Sequence, residues 1–551
     1  MKRFYSIVLA LFLGLFVNYA QALDFSELGK LAIQDAGRIK PFDTFARESL
    51  QLVYGKATYN DQSAVEIVTT WLLAPAIWDE KDFVQLRRKD VKESLKVDSE
   101  KTYFKPKELF ENPRLPLLVQ ELRNKLDAKE KLNPYYQDIQ RLERQLSLYR
   151  AITMGFAFRL LPPREGDQWI SVNDFKSPWI EHFTGITKNF IYVIGASQES
   201  NPDSLKDALN KFNQSVSEFK AAARNENPAF YPPQKDLDVE VHYNHLQPFQ
   251  WAWIFYLVTA ILMGAVLVRG KKDILYKLSW ISILTGFIFH AYGFGLRIYL
   301  TGRPPVSNMY ESVIWVSFGT LLFGMIFEMI YKKSIALLGA SIVGVICLIV
   351  ANTAVSILDP SLQPLEPVLR SNLWLTIHVL TITLSYSTFF LALLVSDIGI
   401  IYFLQKDRKK EANDQALIVY RIVQIGVVLL FIGTVLGGVW ADYSWGRFWG
   451  WDPKETWAFI TFLGYMAILH AKKAGYIKNF GFLISVVIAF SLVLMAWYGV
   501  NFILGAGFHT YGFGGGGVPY VAAFVGIHLI FASFAATVYR IREGAPSPRV
   551  A

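Results

Sequence analysis

Residues 427–473 read VVLLFIGTVLGGVWADYSWGRFWGWDPKETWAFITFLGYMAILHAKK, two apolar runs divided by a tryptophan-rich loop and closed by Lys472 and Lys473. Each run is close to the ~20 residues that the hydrocarbon core of a bilayer requires. Working outward, about nine such segments follow Trp251. They lie near 251–268, 276–300, 310–330, 335–353, 373–404, 416–440, 455–471, 481–503 and 519–539. Basic groups follow the first (Arg269, Lys271, Lys272), third (Lys332, Lys333), fifth (Lys406, Arg408, Lys409, Lys410), seventh (Lys472, Lys473) and ninth (Arg540, Arg542). Lysine and arginine gather on the cytoplasmic side, so 301–309, 354–372, 441–454 and 504–518 are expected on the outer face. This pattern predicts an all-α polytopic membrane protein.

The composition agrees. The 551 residues are 52% hydrophobic and 15% aromatic. Charged residues make up 18%, against roughly 25% in soluble domains. The net charge of +9 does not indicate nucleic acid, because the cations flank apolar runs. The single cysteine, Cys347, lies inside an apolar run. Structural disulfides, a dithiol pair and a CxxCH attachment site are therefore excluded.

The first residues, MKRFYSIVLALFLGLFVNYAQA (1–22), read as a secretory signal, with Lys2 and Arg3 before an apolar core and Ala20-Gln21-Ala22 at the cleavage site. An uncleaved anchor is the alternative. Either places the following domain, 23–248, outside the cytoplasm. Spacings such as Ile139, Leu142, Leu146 and Tyr149 predict that it is mostly helical, with a polar linker near 224–248. The transmembrane domain then covers 249–542. An odd number of spans joins an outer domain to an inner C-terminus.

The loop at 440–457 holds five of the fifteen tryptophans. An interfacial aromatic belt explains one or two at a helix end. It explains poorly a cluster interleaved with Gly446 and Gly450, where backbone could approach a flat object. A porphyrin is planar and apolar with two carboxylate tails. Trp445, Trp449 and Trp451 suit its face, and Arg447 and Lys454 its carboxylates. Asp452, Pro453 and Glu455 form a capping-box-like helix start, so Asp452 reads first as a helix cap.

WGRFWGWDPKETW resembles the WWD signature of the heme-handling cytochrome c assembly family. RPPVSNMYES (303–312), WLTIHVLTITLSY (374–386) and NFILGAGFHTYGFG (501–514) resemble stretches of its CcsA/ResC branch, the integral subunit of System II cytochrome c synthases. The resemblance covers roughly 285 to 540, and the long WWD match is its most specific part. QDAGRIKPFDTF (34–45) more weakly resembles the extracytoplasmic region ahead of this module in fused synthases.

The resemblance implies that His378 and His509 are the axial ligands of heme at an outer site, against Trp445, Trp449, Trp451, Arg447 and Asp452. It places a ligand of an inner heme site at His470, which the residues alone would leave as an interface histidine. Heme b would be held noncovalently, as transported substrate. Its attachment to CxxCH apocytochromes c would follow at the outer face of a bacterial inner membrane. A ligase activity stays uncertain: an exporter or chaperone handing heme to a separate ligase shares these residues, and a non-heme assembly protein is a further alternative. Fused synthases carry an additional ResB-like region that supplies one heme ligand, and no stretch here reads as one. A separate ResB/CcsB-like subunit is therefore expected, with thiol-reducing proteins as further partners. His290, inside the second span, is either functional or a packing residue, and His528 reads as structural.

Overall fold

The computed structural model of the chain describes residues 23–198, 201–269, 274–355, 357–364, 372–505, 507 and 516–544. Residues 1–22, expected to be a secretory signal, and His509 lie outside these residues. The chain divides into two compact units, Met1–His245 and Leu246–Ala551.

The first unit is mainly helical, with small antiparallel hairpins among its described residues. The stretch 34–45 forms one of them. Ala32–Asp35 pairs with Arg38–Pro41 around Ala36 and Gly37, both at positive φ, as a two-residue hairpin turn of this hand demands. The next helix, Phe42–Tyr54, buries Phe42, Phe45, Leu50 and Val53. The predicted stripe Ile139, Leu142, Leu146 and Tyr149 is the buried face of the helix Pro134–Thr153.

The stretch expected as a polar linker is helical instead, with a helix over Gln234–Leu246. Its polar residues have partners far away in sequence. Arg38 donates to both oxygens of Glu240 at 2.7 Å, and the Thr44 hydroxyl donates to Glu240 at 2.7 Å. Asp43 accepts from Asn244 Nδ2 at 3.0 Å and meets His245 Nε2 at 3.0 Å. Polar composition signals a loop only where nothing buries it.

Burial opposes ionisation of the Asp43 carboxyl, but His245, Arg47 and Asn244 outweigh it and hold its pKa below the usual carboxylate value. A carboxyl depressed in the fold stabilises fully above its unfolded pKa, about 3.9, and that contribution drains away as pH falls through the folded value. Asp43→Ala should cost about 1–3 kcal/mol at neutral pH. Thermal melts should converge with wild type in acid; a gap that persists below the folded titration would contradict this assignment.

The second unit contains nine helices among its described residues: Pro248–Arg269, Ile274–Thr301, Met309–Tyr331, Ile335–Thr353, Asn372–Phe403, Lys409–Trp445, Pro453–Lys473, Asn479–Leu494 and Val518–Gly544. They are called the first to ninth helices below. Each predicted segment falls on one of them. Eight are long and apolar enough to cross a membrane, so the chain is multi-pass. The seventh falls short of that hydropathy because Lys454, Glu455, His470, Lys472 and Lys473 stand near its two ends.

The fifth helix is the hub and packs against the third, fourth, sixth and eighth. The ninth is the least buried. His290 is fully buried. The carbonyl of Ile314 lies 3.1 Å from Nε2 and the Tyr256 hydroxyl 3.1 Å from Nδ1. A carbonyl only accepts, so Nε2–H donates to Ile314 and Nδ1 accepts from Tyr256. Both nitrogens are engaged, and His290 is a packing residue joining the first three helices.

Candidate functional site

The sixth helix ends at Trp445, where Gly446 takes a left-handed conformation and its N–H donates to the Asp442 carbonyl at 2.8 Å. Gly446 is thus a helix stop. Trp440 is buried and meets Trp445 edge to face at 4.8 Å. Trp449 meets Trp451 edge to face at 5.8 Å. Gly450 is covered by the Arg447 guanidinium, which occupies the space a side chain there would need. Arg447 also lies 6.0 Å from the Trp445 ring centre. Both loop glycines thus serve internal contacts. Trp451 stays 67% exposed and sits at φ +58°, a costly conformation for a large side chain.

The capping box forms as the sequence predicts. Asp452 Oδ1 accepts from the Lys454 N–H at 3.0 Å. Glu455 Oε2 accepts from the N–H groups of Asp452 at 3.2 Å and Gly450 at 2.8 Å. The loop is therefore tied to the seventh helix at both residues.

His378 lies near the start of the fifth helix, with Nδ1 2.8 Å from the Gly433 carbonyl of the sixth. The carbonyl can only accept, so Nδ1 carries the proton and Nε2 the lone pair. This is the tautomer that ligation through Nε2 requires. His470 has the same arrangement, with Nδ1 2.7 Å from the Met466 carbonyl of its own helix, and its side chain is exposed. It stands about 27 Å along the seventh helix from Asp452 at 1.5 Å per residue. One ligand plane cannot serve both ends.

The RPPVSNMYES stretch is organised by a buried carboxylate. Glu311 accepts from Arg297 Nη2 at 2.7 Å and from Ser307 N and Oγ at 2.9 and 2.7 Å; Arg303 Nη1 stands 3.4 Å away. The second arms of these arginines reach the carbonyls of Pro360 at 2.9 Å and Gln363 at 2.8 Å. The described part of the loop before the fifth helix is thereby fastened.

Met495–Leu504, continuing the eighth helix, is a π-helix, a form common at functional sites. Trp497 Nε1 donates to Ser312 Oγ at 3.0 Å, and its ring lies 6.0 Å from Tyr386. Lys454 Nζ donates to Asn501 Oδ1 at 3.2 Å. A side chain on Gly507 would strike the Asp452 carboxylate and Pro453.

One end of the bundle thus brings together the tryptophan loop, the 303–312 stretch, the His378 helix and Gly507. It does not bring in His470. Sequence reasoning missed Arg297 and the π-helix. An arginine inside an apolar run was a readable signal for the first; the second has no local signature. His528 lies in the ninth helix, with Nδ1 2.8 Å from the Phe524 carbonyl and Nε2 3.4 Å from Asp397.

Fold and site together define a multi-pass membrane protein with a polar, aromatic cluster at one end of its helices. Residues 306–509 match the family model described as cytochrome C assembly protein. The chain is 34% identical over 291 residues to the cytochrome c biogenesis protein CcsA of Guillardia theta, covering 46% of this chain and 92% of that protein. It is 31% identical to CcsA of Prochlorococcus marinus, covering 46% and 89%. It is 29% identical over 507 residues to NrfI of Wolinella succinogenes, covering 88% of this chain but 54% of that protein. Against NrfI the chain therefore spans about half of the relative's length. The chain belongs to the CcsA-type cytochrome c biogenesis proteins.

Asp452→Ala should remove the cap, at a cost of about 1 kcal/mol, and loosen the loop. Limited proteolysis within 446–452 should accelerate, whereas Asp452→Asn, which caps comparably, should resist like wild type. Equal cleavage of both variants would refute the cap as the loop's restraint.

Proposed function

We propose that this protein holds heme b noncovalently at the outer face of a bacterial inner membrane and supports its attachment to CxxCH apocytochromes c. The observation supporting this reading is the bond from His378 Nδ1–H to the Gly433 carbonyl at 2.8 Å, which sets the tautomer that a ligand bound through Nε2 needs. His509 is the second axial ligand. Trp445, Trp449 and Trp451 supply apolar surface for the macrocycle. Arg447 supplies positive charge for its carboxylates, and Asp452 holds the loop against the seventh helix.

The attachment is an addition. Each cysteine S–H adds across a vinyl double bond, forming a C–S bond at one carbon while the proton goes to the other. No oxidant is consumed, but the thiols must arrive reduced, so a thiol-reducing partner is required. The protein contributes position and orientation, effects worth up to roughly 7–11 kcal/mol in favourable cases. His470 serves an inner station on the same route, completed by a ResB/CcsB-like subunit. The unit at 23–245 lies outside the cytoplasm.

Three measurements test the reading. The purified protein should show a Soret band whose axial-ligand signature is lost in His378→Gly or His509→Gly and partly restored by free imidazole. An unchanged spectrum in both variants would end the ligand assignment. Product formation with purified apocytochrome would separate a ligase from an exporter. For topology, cysteines placed at Pro360 and Gly446 should react with an impermeant label from outside, and those at Arg408 and Ala474 should not. A cytoplasmic Gly446 would remove the outer platform altogether. The native Cys347 is buried and adds little background.

A further inference from the structure

We infer that Gly433 and Gly437, one turn apart on the sixth helix, are positioning residues for His378 that fix which nitrogen of its ring is offered to heme iron. The inference rests on the reading just given and goes beyond it, since neither glycine would touch heme.

The two glycines act differently. A side chain on Gly433 would lie 2.9 Å from the backbone nitrogen and Cα of Ile382. Its absence lets the two helix backbones meet there, one turn beyond His378. That approach brings the Gly433 carbonyl to 2.8 Å from Nδ1. A side chain on Gly437 would lie 2.5 Å from Cε1 and 2.9 Å from Nδ1 of the imidazole. The ring thus fills the volume of the missing side chain.

Two glycines at this spacing in a membrane helix are ordinarily a packing device. Packing is sufficient for Gly426, lower on the same interface, where a side chain would meet Thr388 and Phe389. It is not sufficient for an imidazole seated on Gly437 and bonded to the carbonyl of Gly433. A carbonyl accepting from Nδ1–H fixes the tautomer, orients the ring and makes the opposite nitrogen a stronger ligand. Rotating the ring by half a turn would give up that bond.

The test uses the full chain, purified and loaded with heme, with ferric optical and spin-resonance spectra. Gly437→Ala should weaken heme binding at this site at least about tenfold, as loss of a ligand's supporting contacts does, and at limiting heme the low-spin signal should fall with it. Free imidazole should restore part of it. Gly426→Ala, at the same interface, should keep the wild-type signature in whatever protein accumulates. In heme-free protein, nitrogen-15 histidine spectra should report one His378 tautomer in wild type and a mixture in Gly437→Ala.

A wild-type signature in Gly437→Ala would overturn the inference, as would equal loss in Gly426→Ala. If His378→Gly itself leaves the spectrum intact, the ligand assignment has failed instead. Should Gly437→Ala accumulate poorly, the double variant His378→Gly/Gly437→Ala should accumulate better, because removing the ring makes room for the added methyl. No recovery would refute the steric seat.

Discussion

The close approach of the fifth helix to the sixth sets the height of everything at the tryptophan-loop end of the bundle. Lipid gives little hydrophobic drive for helices to associate, so contact depends on small residues and fit. Gly433 supplies this contact against Ile382. From the fifth helix the fit spreads: Phe389 stacks on Tyr465 of the seventh at 4.0 Å, and Phe390 packs against Phe490 of the eighth at 4.9 Å. Thr320 of the third donates to the Ser387 carbonyl at 3.1 Å. The tryptophan loop starts where the sixth helix stops, so its level follows from the same contact.

A second constraint is that polar groups inside a membrane must find partners locally. The histidines sort by how they meet it. His290 spends both nitrogens on neighbours and has no chemistry left to offer. His528 gives Nδ1 to a carbonyl and turns Nε2 toward Asp397. His378 commits Nδ1 to a carbonyl of another helix and His470 to one of its own. The Arg297–Glu311 pair is almost wholly buried. Such a pair contributes more to specifying an arrangement than to net stability. Here it specifies the path of the loop leading toward His378.

Much of this was legible because membrane and capping rules act locally. Eight of the nine segments follow from hydropathy alone, and the capping box at Asp452, Pro453 and Glu455 could be read from three residue types within four positions. Long-range features were not legible. Glu240 looked like linker composition because Arg38 and Thr44 lie about two hundred residues away. Gly446 and Gly450 suggested an approaching ligand, whereas one stops a helix and the other receives Arg447. Gly433 and Gly437 are two among 38 glycines, and only the position of His378 distinguishes them.

The π-helix offers a physical reason for linking the loops at this end. Widening the turn changes which residues face a neighbouring element, and Trp497 and Asn501 use that freedom to reach Ser312 and Lys454. Asp452 is then shared: its carboxylate caps the seventh helix and walls in Gly507. Gly507 can stand there only because it lacks a side chain, and its φ of +99° lies where glycine is favoured. The chain therefore enters the stretch carrying His509 from a point held by the tryptophan loop. Movement of that loop would be felt at Gly507 through Asp452, and at Asn501 through Lys454. Since the loop is in turn fixed by Glu455, a disturbance at either end has a short, polar path to the other.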